Sequence, residues 1–354
     1  MQSTVTILGA GAWGTTIANV IASKGHKAFI WCYEKETAAE INNNHTNERF
    51  LPDIVLHPEI KALTDINEAV SDKEYLILAV PSLFLLSTVK QLLTVPSILE
   101  GQAAIAVITK GFLETSKGPT LILDTLEDYL PGFYNKSLVY IAGPSHAEEV
   151  ARGKITGLIS ASRNPKNAIR FRYLLKSSRL LVFASPDVRG VQVAAAAKNI
   201  IAIAFGIMDA LKTKPGKEEE MFGDNTESLL LAAGLNEIQI LGMALGATHR
   251  ETFSSISGVG DLDVTCRSLY GRNRRFGREI IEKNILEPFK DLDDLLKRIT
   301  EINYLPEGVA AAKHVKTLAE KFRLKMPICT GLFQILNKEI KPLEFLRNFL
   351  GSLA

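Results

Sequence analysis

Short apolar runs alternate with amphipathic segments through the first half of the chain. Val5–Leu8, Ala28–Cys32, Tyr75–Val80, Ala104–Thr109, Leu138–Ala142, Gly157–Ala161 and Leu180–Ala184 read as strands. Strands separated by helical patterns predict βαβ units and a parallel sheet. The strand pattern stops at Ser185–Pro186. Beyond it the periodicity is helical, over about 188–211, 226–245, 273–284, 307–321 and 327–337. The pattern therefore predicts a wound α/β region followed by a helical one, with the boundary at 187/188.

The turn after the first strand sharpens this picture. Gly9-Ala10-Gly11-Ala12-Trp13-Gly14 fits G-x-G-x-x-G between a strand and a helix beginning near Thr15. The first glycine permits the tight turn, the second lets a pyrophosphate approach the backbone, and the third lets helix and strand pack closely. The helix N-terminus offers unpaired N–H groups and a positive dipole end to phosphates. Glu34, at the end of the second strand, lies 20 residues past Gly14, where this fold places an acid on the ribose hydroxyls. A carboxylate there repels a 2′-phosphate, so NAD is the expected cofactor, with NADP possible. Tyr33 is placed to stack on adenine. A flavin would use a similar fingerprint, so the turn alone does not name the cofactor.

Composition narrows the class. Of 354 residues, 46% are apolar and 23% charged, as in globular chains; 41 basic residues against 39 acidic give no compositional support for nucleic-acid binding. Cys32, Cys266 and Cys329 are far apart and have no metal-ligand spacing, so reduced thiols and no metal site are expected. A strand beginning at Val5 leaves no room for an upstream targeting segment, and the expected location is the cytoplasm. Gly190–Met208 is long and apolar, but Lys198–Asn199 interrupts it, which argues against a membrane span.

That lysine is itself a candidate. Lys198 has Ala194, Ala195, Ile201 and Ala202 one turn away, and no helix end is near for it to snorkel to. A buried ammonium is costly unless paired or neutralised, which leaves a buried ion pair or a functional base. Asn199 beside it adds a neutral donor and acceptor. A second polar cluster runs from Gly260-Asp261 through Thr265-Cys266 to Gly271-Arg272-Asn273. An arginine fork beside a helix N-terminus suits a phosphate, although a basic surface stripe would look the same. Lys110-Gly111 and Gly143-Pro144-Ser145-His146 follow strand ends, where wound sheets bind ligands. His146 is one of six scattered histidines, and nothing else assigns it acid–base work.

Taken together, the motifs resemble the NAD(P)-dependent glycerol-3-phosphate dehydrogenase family from Gly9 to about Leu336. They are G-A-G-A-W-G at Gly9–Gly14, F-L-P at Phe50–Pro52, T-K-G at Thr109–Gly111, A-G-P-S at Ala142–Ser145, A-K-N-I-I-A-I at Ala197–Ile203, F-G-D-N-T at Phe222–Thr226, G-D-L-x-x-T-C at Gly260–Cys266, G-R-N-R-R-F-G at Gly271–Gly277 and E-G at Glu307–Gly308. The resemblance implies an α/β fold: a Rossmann-type dinucleotide-binding domain (1–187) and an all-α substrate-binding and catalytic domain (188–354), an architecture like that of 6-phosphogluconate dehydrogenase. It implies reversible hydride transfer between NAD(P)H and dihydroxyacetone phosphate, giving sn-glycerol 3-phosphate for phospholipid synthesis. Small-molecule substrates and a homodimer are expected, with no nucleic-acid or membrane partner.

The resemblance also implies roles. Lys198 is the proton acceptor, and Lys110, Asp261 and Thr265 complete the polar environment of the reacting carbon. Gly271, Arg272 and Asn273 hold the substrate phosphate, with Gly143, Ser145 and Asn199 nearby. Gly9, Gly11, Ala12, Trp13, Gly14, Tyr33, Glu34, Lys110, Ala147, Arg272, Leu305 and Glu307 line the cofactor. A related dehydrogenase of hydroxy acids or hydroxyacyl thioesters, or a non-catalytic NAD-binding sensor, remains an alternative. The chain departs from the family pattern in three places. Ala232 and Ala233 stand where an arginine is usual. Leu211–Met221, with Lys214, Lys217 and three glutamates, looks longer than usual and suggests a lid or altered loop. Strand two ends Trp31-Cys32-Tyr33-Glu34, closer to the NAD-specific eukaryotic type.

Overall fold

A computed structural model describes residues 2–213 and 221–352; Lys214, Lys217 and the three glutamates of the expected lid or altered loop lie outside the described residues. The chain divides into two compact units. The first comprises Met1–Leu113 with Leu121–Val191, and the second Glu114–Thr120 with Gln192–Ala354.

The first unit is built on eight strands: β1 (Thr4–Leu8), β2 (Lys27–Trp31), β3 (Lys61–Leu63), β4 (Tyr75–Leu78), β5 (Ala104–Val107), β8 (Val139–Ala142), β9 (Thr156–Ala161) and β10 (Leu180–Ser185). Their order across the sheet is β10-β9-β8-β5-β4-β1-β2-β3. β3-β2-β1-β4-β5-β8 are mutually parallel and form the doubly wound core. The expected parallel sheet carries one antiparallel pairing. β9 runs antiparallel to β8, pairing Tyr140 with Ala161, and β10 then runs parallel to β9. Strand direction is not written in an apolar run, and the segment bearing the helix Ala147–Ala151 returns the chain the opposite way. A separate two-stranded sheet, β6 (Phe112–Thr115) and β7 (Gly118–Leu121), and the three-residue β3 have too few residues to show a period.

Order reverses between β1 and β4, and there the first turn is packed. Gly9 has φ +116°, and a Cβ on it would meet the backbone N of Val80 at 2.9 Å; one on Gly14 would overlap the carbonyl of Gly9. Glycine is required at both positions, the first for conformation and the second for close approach. The helix Ala12–Ser23 then buries Ile17, Ala18 and Ile21 against the sheet.

The second unit is helical apart from its short hairpin segment. Its central helix, Val188–Lys212, is long and apolar enough to cross a membrane, but its apolar window is wholly buried, as in a core helix. Glu307–Phe322 packs on Pro327–Leu336, which packs on Pro342–Gly351. Asp209 on the central helix accepts from Arg274 Nη2 at 2.6 Å and Arg278 Nη1 at 2.8 Å, binding it to the helix Arg272–Glu282. Burial pushes the Asp209 carboxyl up, but the bonds from Arg278 and Arg274 outweigh this and leave it below the usual carboxylate range. Glu237 accepts from the backbone N of Ile328 (2.6 Å) and Cys329 (3.0 Å), capping Pro327–Leu336 from inside the core.

Candidate active site

In the first unit, Gly11 is the N-cap of the helix Ala12–Ser23, and no side chain caps it. The N–H groups of its first turn therefore have no helical partners. A Cβ on Gly11 would meet nothing within 4 Å, so the space above the turn is open. This cradle fits a dinucleotide pyrophosphate. Ala12 and Trp13 are half-buried beside it, and Ala147 is buried, its carbonyl accepting from Thr16 Oγ1 at 3.2 Å. Glu34 is the N-cap residue of Lys35–Asn44, yet its carboxylate does not cap that helix. It reaches Arg49 Nη1 at 3.4 Å instead. Tyr33 beside it is 83% exposed, leaving its ring accessible.

A residue missed by the sequence reading holds this turn. Asn47 is fully buried, and its Nδ2 donates to the Ala10 carbonyl and to Thr15 Oγ1, both at 2.8 Å. It lies 37 positions after Ala10, so no local spacing reveals it; the adjacent Phe50–Pro52 motif was the available signal. At the ends of β5 and β8, Lys110 Nζ lies 3.5 Å from the Gly143 carbonyl, which also accepts from Ser145 Oγ at 2.8 Å. Gly143 has φ +149°, a conformation other residues rarely adopt.

In the second unit, Lys198 is paired. Its ammonium donates to Asp261 Oδ1 and, at 2.7 Å, to Thr265 Oγ1. Lys198 is 4% exposed and Asp261 fully buried. Thr265 Oγ1 donates in turn to the Asp261 carbonyl at 2.6 Å. Asp261 and Thr265 fall on one face because they are the first and fifth residues of the helix Asp261–Arg267. A π-helical turn, Ile256–Gly260, leads into that helix.

Arg272 is the first residue of Arg272–Glu282, with Gly271 as N-cap. It is exposed and makes no ion pair among the described residues. Asn273 is buried, and its Oδ1 accepts from the backbone N of Gly308 at 2.9 Å. This bond turns the amide NH2 away from Gly308. A Cβ on Gly308 would meet the Asn199 carbonyl at 2.6 Å, so the start of Glu307–Phe322 lies directly on the central helix beside Lys198. Tyr304 donates to Glu279, which tethers the segment before Leu305 and Glu307. Leu305 and Glu307 are half-buried between these two anchors. The structure thus gathers Lys198, Asn199, Asp261, Thr265, Gly271, Arg272, Asn273, Leu305 and Glu307 within the second unit. Within the first it gathers the turn with Tyr33 and Glu34, and Lys110 with Gly143 and Ser145.

A doubly wound sheet whose first glycine turn opens a helix N-terminus is a dinucleotide-binding architecture of the Rossmann class, here in one chain with a buried lysine–carboxylate pair. The comparisons carry this further: the chain belongs to the NAD-dependent glycerol-3-phosphate dehydrogenase family, whose N-terminal model matches residues 4–168 and C-terminal model residues 187–347. It is 54% identical to a glycerol-3-phosphate dehydrogenase of Treponema denticola named for NAD(P)+, over 99% of both chains. It is 36% identical to one from Bacillus subtilis, covering 94% of this chain and 89% of the relative. The crystal structure of glycerol-3-phosphate dehydrogenase from Coxiella burnetii superposes with a TM-score of 0.83 at 28% identity, covering 99% of each chain.

Proposed function

We propose that the chain catalyses reversible hydride transfer between NAD(P)H and dihydroxyacetone phosphate, giving sn-glycerol 3-phosphate for glycerophospholipid synthesis. The observation that carries this reading is the buried Lys198–Asp261–Thr265 cluster, in one unit with an exposed arginine at a helix N-terminus. The family and its relatives support it.

A bound nicotinamide would supply or accept the hydride at C2. The remaining work belongs to side chains. Lys198 Nζ gives a proton to the C2 oxygen in reduction and takes one in oxidation, which is general acid–base chemistry. Asp261 and Thr265 fix the ammonium in place, and Lys110 contributes a second positive charge to the substrate oxygens. Arg272 binds the phosphate as a charge-assisted fork, helped by the helix N-terminus it begins. Asn273 presents its amide NH2 to the same phosphate, held in that sense by Gly308. Gly143, Ser145, Asn199 and Gly271 shape the substrate's surroundings. Gly9, Gly11, Ala12, Trp13 and Gly14 hold the pyrophosphate, and Tyr33 and Glu34 the adenosine end. Ala147, Lys110, Arg272, Leu305 and Glu307 complete the cofactor's contacts. The Glu34 carboxylate favours NADH over NADPH. A homodimer in the cytoplasm completes the reading.

The test is the rate of dihydroxyacetone-phosphate reduction with NADH and NADPH side by side, followed by absorbance of the reduced nicotinamide. Turnover is expected with both, faster per unit concentration with NADH. Unphosphorylated dihydroxyacetone is expected to be a poor substrate, and equal use of the two ketones would overturn the phosphate site.

A further inference from the structure

The geometry points to Arg49 as a second determinant of cofactor choice: Glu34 takes the ribose 2′-hydroxyl of NAD(H), and Arg49 leaves Glu34 to take the 2′-phosphate of NADP(H). The inference rests on the dinucleotide reading of the first unit and deepens it.

Glu34 alone predicts exclusion of a 2′-phosphate, because two anions would have to be brought together. The structure adds a cation at that point. Arg49 Nη1 lies 3.4 Å from Glu34 Oε1, with side-chain exposures of 64% and 33%. One long contact between an exposed guanidinium and a half-buried, solvent-reached carboxylate is a weak ion pair, cheap to break. The guanidinium also lies over the Phe50 ring, 4.8 Å from its centroid, an attraction that does not use up its N–H donors.

The segment carrying Arg49 is pinned to the cofactor turn. Asn47, two residues before it, donates to the Ala10 carbonyl and Thr15 Oγ1 at 2.8 Å each, and Leu51 N donates back to the Asn47 carbonyl at 2.7 Å. On the other side, Glu40 accepts from Thr46 Oγ1 (2.8 Å) and Glu48 N (2.7 Å). The backbone on either side of Arg49 is therefore fixed against the turn and the helix Lys35–Asn44, while the side chain is exposed. A planar fork so placed matches a phosphate in two-point contact, and moving it from carboxylate to phosphate exchanges one anion for another of higher charge. Lys35, first residue of the adjoining helix, adds a positive charge beside that helix N-terminus.

The experiment measures direct binding. Dissociation constants for NADH and NADPH are taken from fluorescence titrations without the second substrate, and the readout is the ratio Kd(NADPH)/Kd(NADH). Arg49→Ala is expected to raise this ratio about tenfold and Arg49→Lys to restore part of the loss, a point charge replacing a fork. Glu34→Gln is expected to lower it, and Arg49→Ala in the Glu34→Gln background to erase much of that gain. In the wild type, added salt should raise the ratio, since the phosphate contact is an exposed charge pair. A ratio that stays within about twofold on Arg49→Ala overturns the inference, as does a wild type that binds NADH but not NADPH. If the ratio moves as expected but neither nucleotide supports ketone reduction, the selector stands and the substrate reading falls. If reduction proceeds and the ratio ignores Arg49, the reverse holds.

Discussion

The dinucleotide turn and the Lys198 cluster use opposite strategies. The turn is local, six consecutive residues whose function lies in the backbone: glycines that permit a path and N–H groups left unpaired at a helix start. The cluster around Lys198 is assembled over distance. Its carboxylate is 63 positions away and its threonine 67, and a charge there is tolerated only because partners arrive through folding. Binding a nucleotide needs shape and open space, which glycine supplies by lacking atoms. Holding an ammonium in an apolar helix needs atoms, placed to within a hydrogen-bond length.

The largest expected effect separates the two regions. Lys198→Ala should lower kcat by roughly 10²–10⁴ while the NADH dissociation constant, read by fluorescence, changes little. Lys198→Met, attractive from the sequence because it keeps the apolar stem, is expected to fold less well than wild type. It strands the fully buried Asp261 without its cation, and breaking such a pair costs about 3–5 kcal/mol. Lys198→Met with Asp261→Asn should recover much of the lost melting temperature and none of the kcat. Near-wild-type turnover in either variant would remove Lys198 from the chemistry.

Next comes the phosphate end. Arg272→Ala should cut kcat/KM for dihydroxyacetone phosphate by roughly ten- to a hundredfold, the value of a charged hydrogen bond of about 1.5–3 kcal/mol. Unphosphorylated dihydroxyacetone should suffer much less, and equal losses would move Arg272 away from the phosphate. On the turn, Gly11→Ala offers the converse of Lys198→Ala. The added methyl meets open space in the protein, at an ordinary backbone φ of −67°, so the melting temperature should hold. NADH binding should weaken about tenfold or more, because the methyl occupies the pyrophosphate's approach. Gly14→Ala, which overlaps the Gly9 carbonyl, should lose both stability and binding.

The smallest effect concerns pH and a residue that belongs to neither region. Burial, with Lys313 adding to it, pushes His314 down to about 4, although Glu114 Oε2 is 3.3 Å from its Nε2. Between its ordinary value near 6.5 and 4, the unfolded chain takes up a proton that the folded chain refuses. Stability should therefore fall as pH drops through that window. His314→Gln should flatten the thermal midpoint against pH there by about 2–4 °C, and an unaltered slope would put the acid sensitivity elsewhere.

The sequence by itself determined the order of the longer strands and of the long helices after them, the strand–turn–helix that receives a dinucleotide, and the family, because each is carried by contiguous residues or by a short period. Val5–Leu8, Gly9–Gly14 and the long apolar helix are examples: local sterics and burial decide them wherever the rest of the chain goes. Tertiary structure decided what distance governs. It reversed β9 against β8, because an apolar run carries no direction. It made Asn47 the tie on the cofactor turn and turned Asn273 by way of Gly308. It set Arg49 against Glu34. It also paired Lys198. A lone lysine in an apolar helix has the same sequence whether it is an ion-pair strut or a site, and only the fold brings Asp261 and Thr265 to within bonding distance of its ammonium.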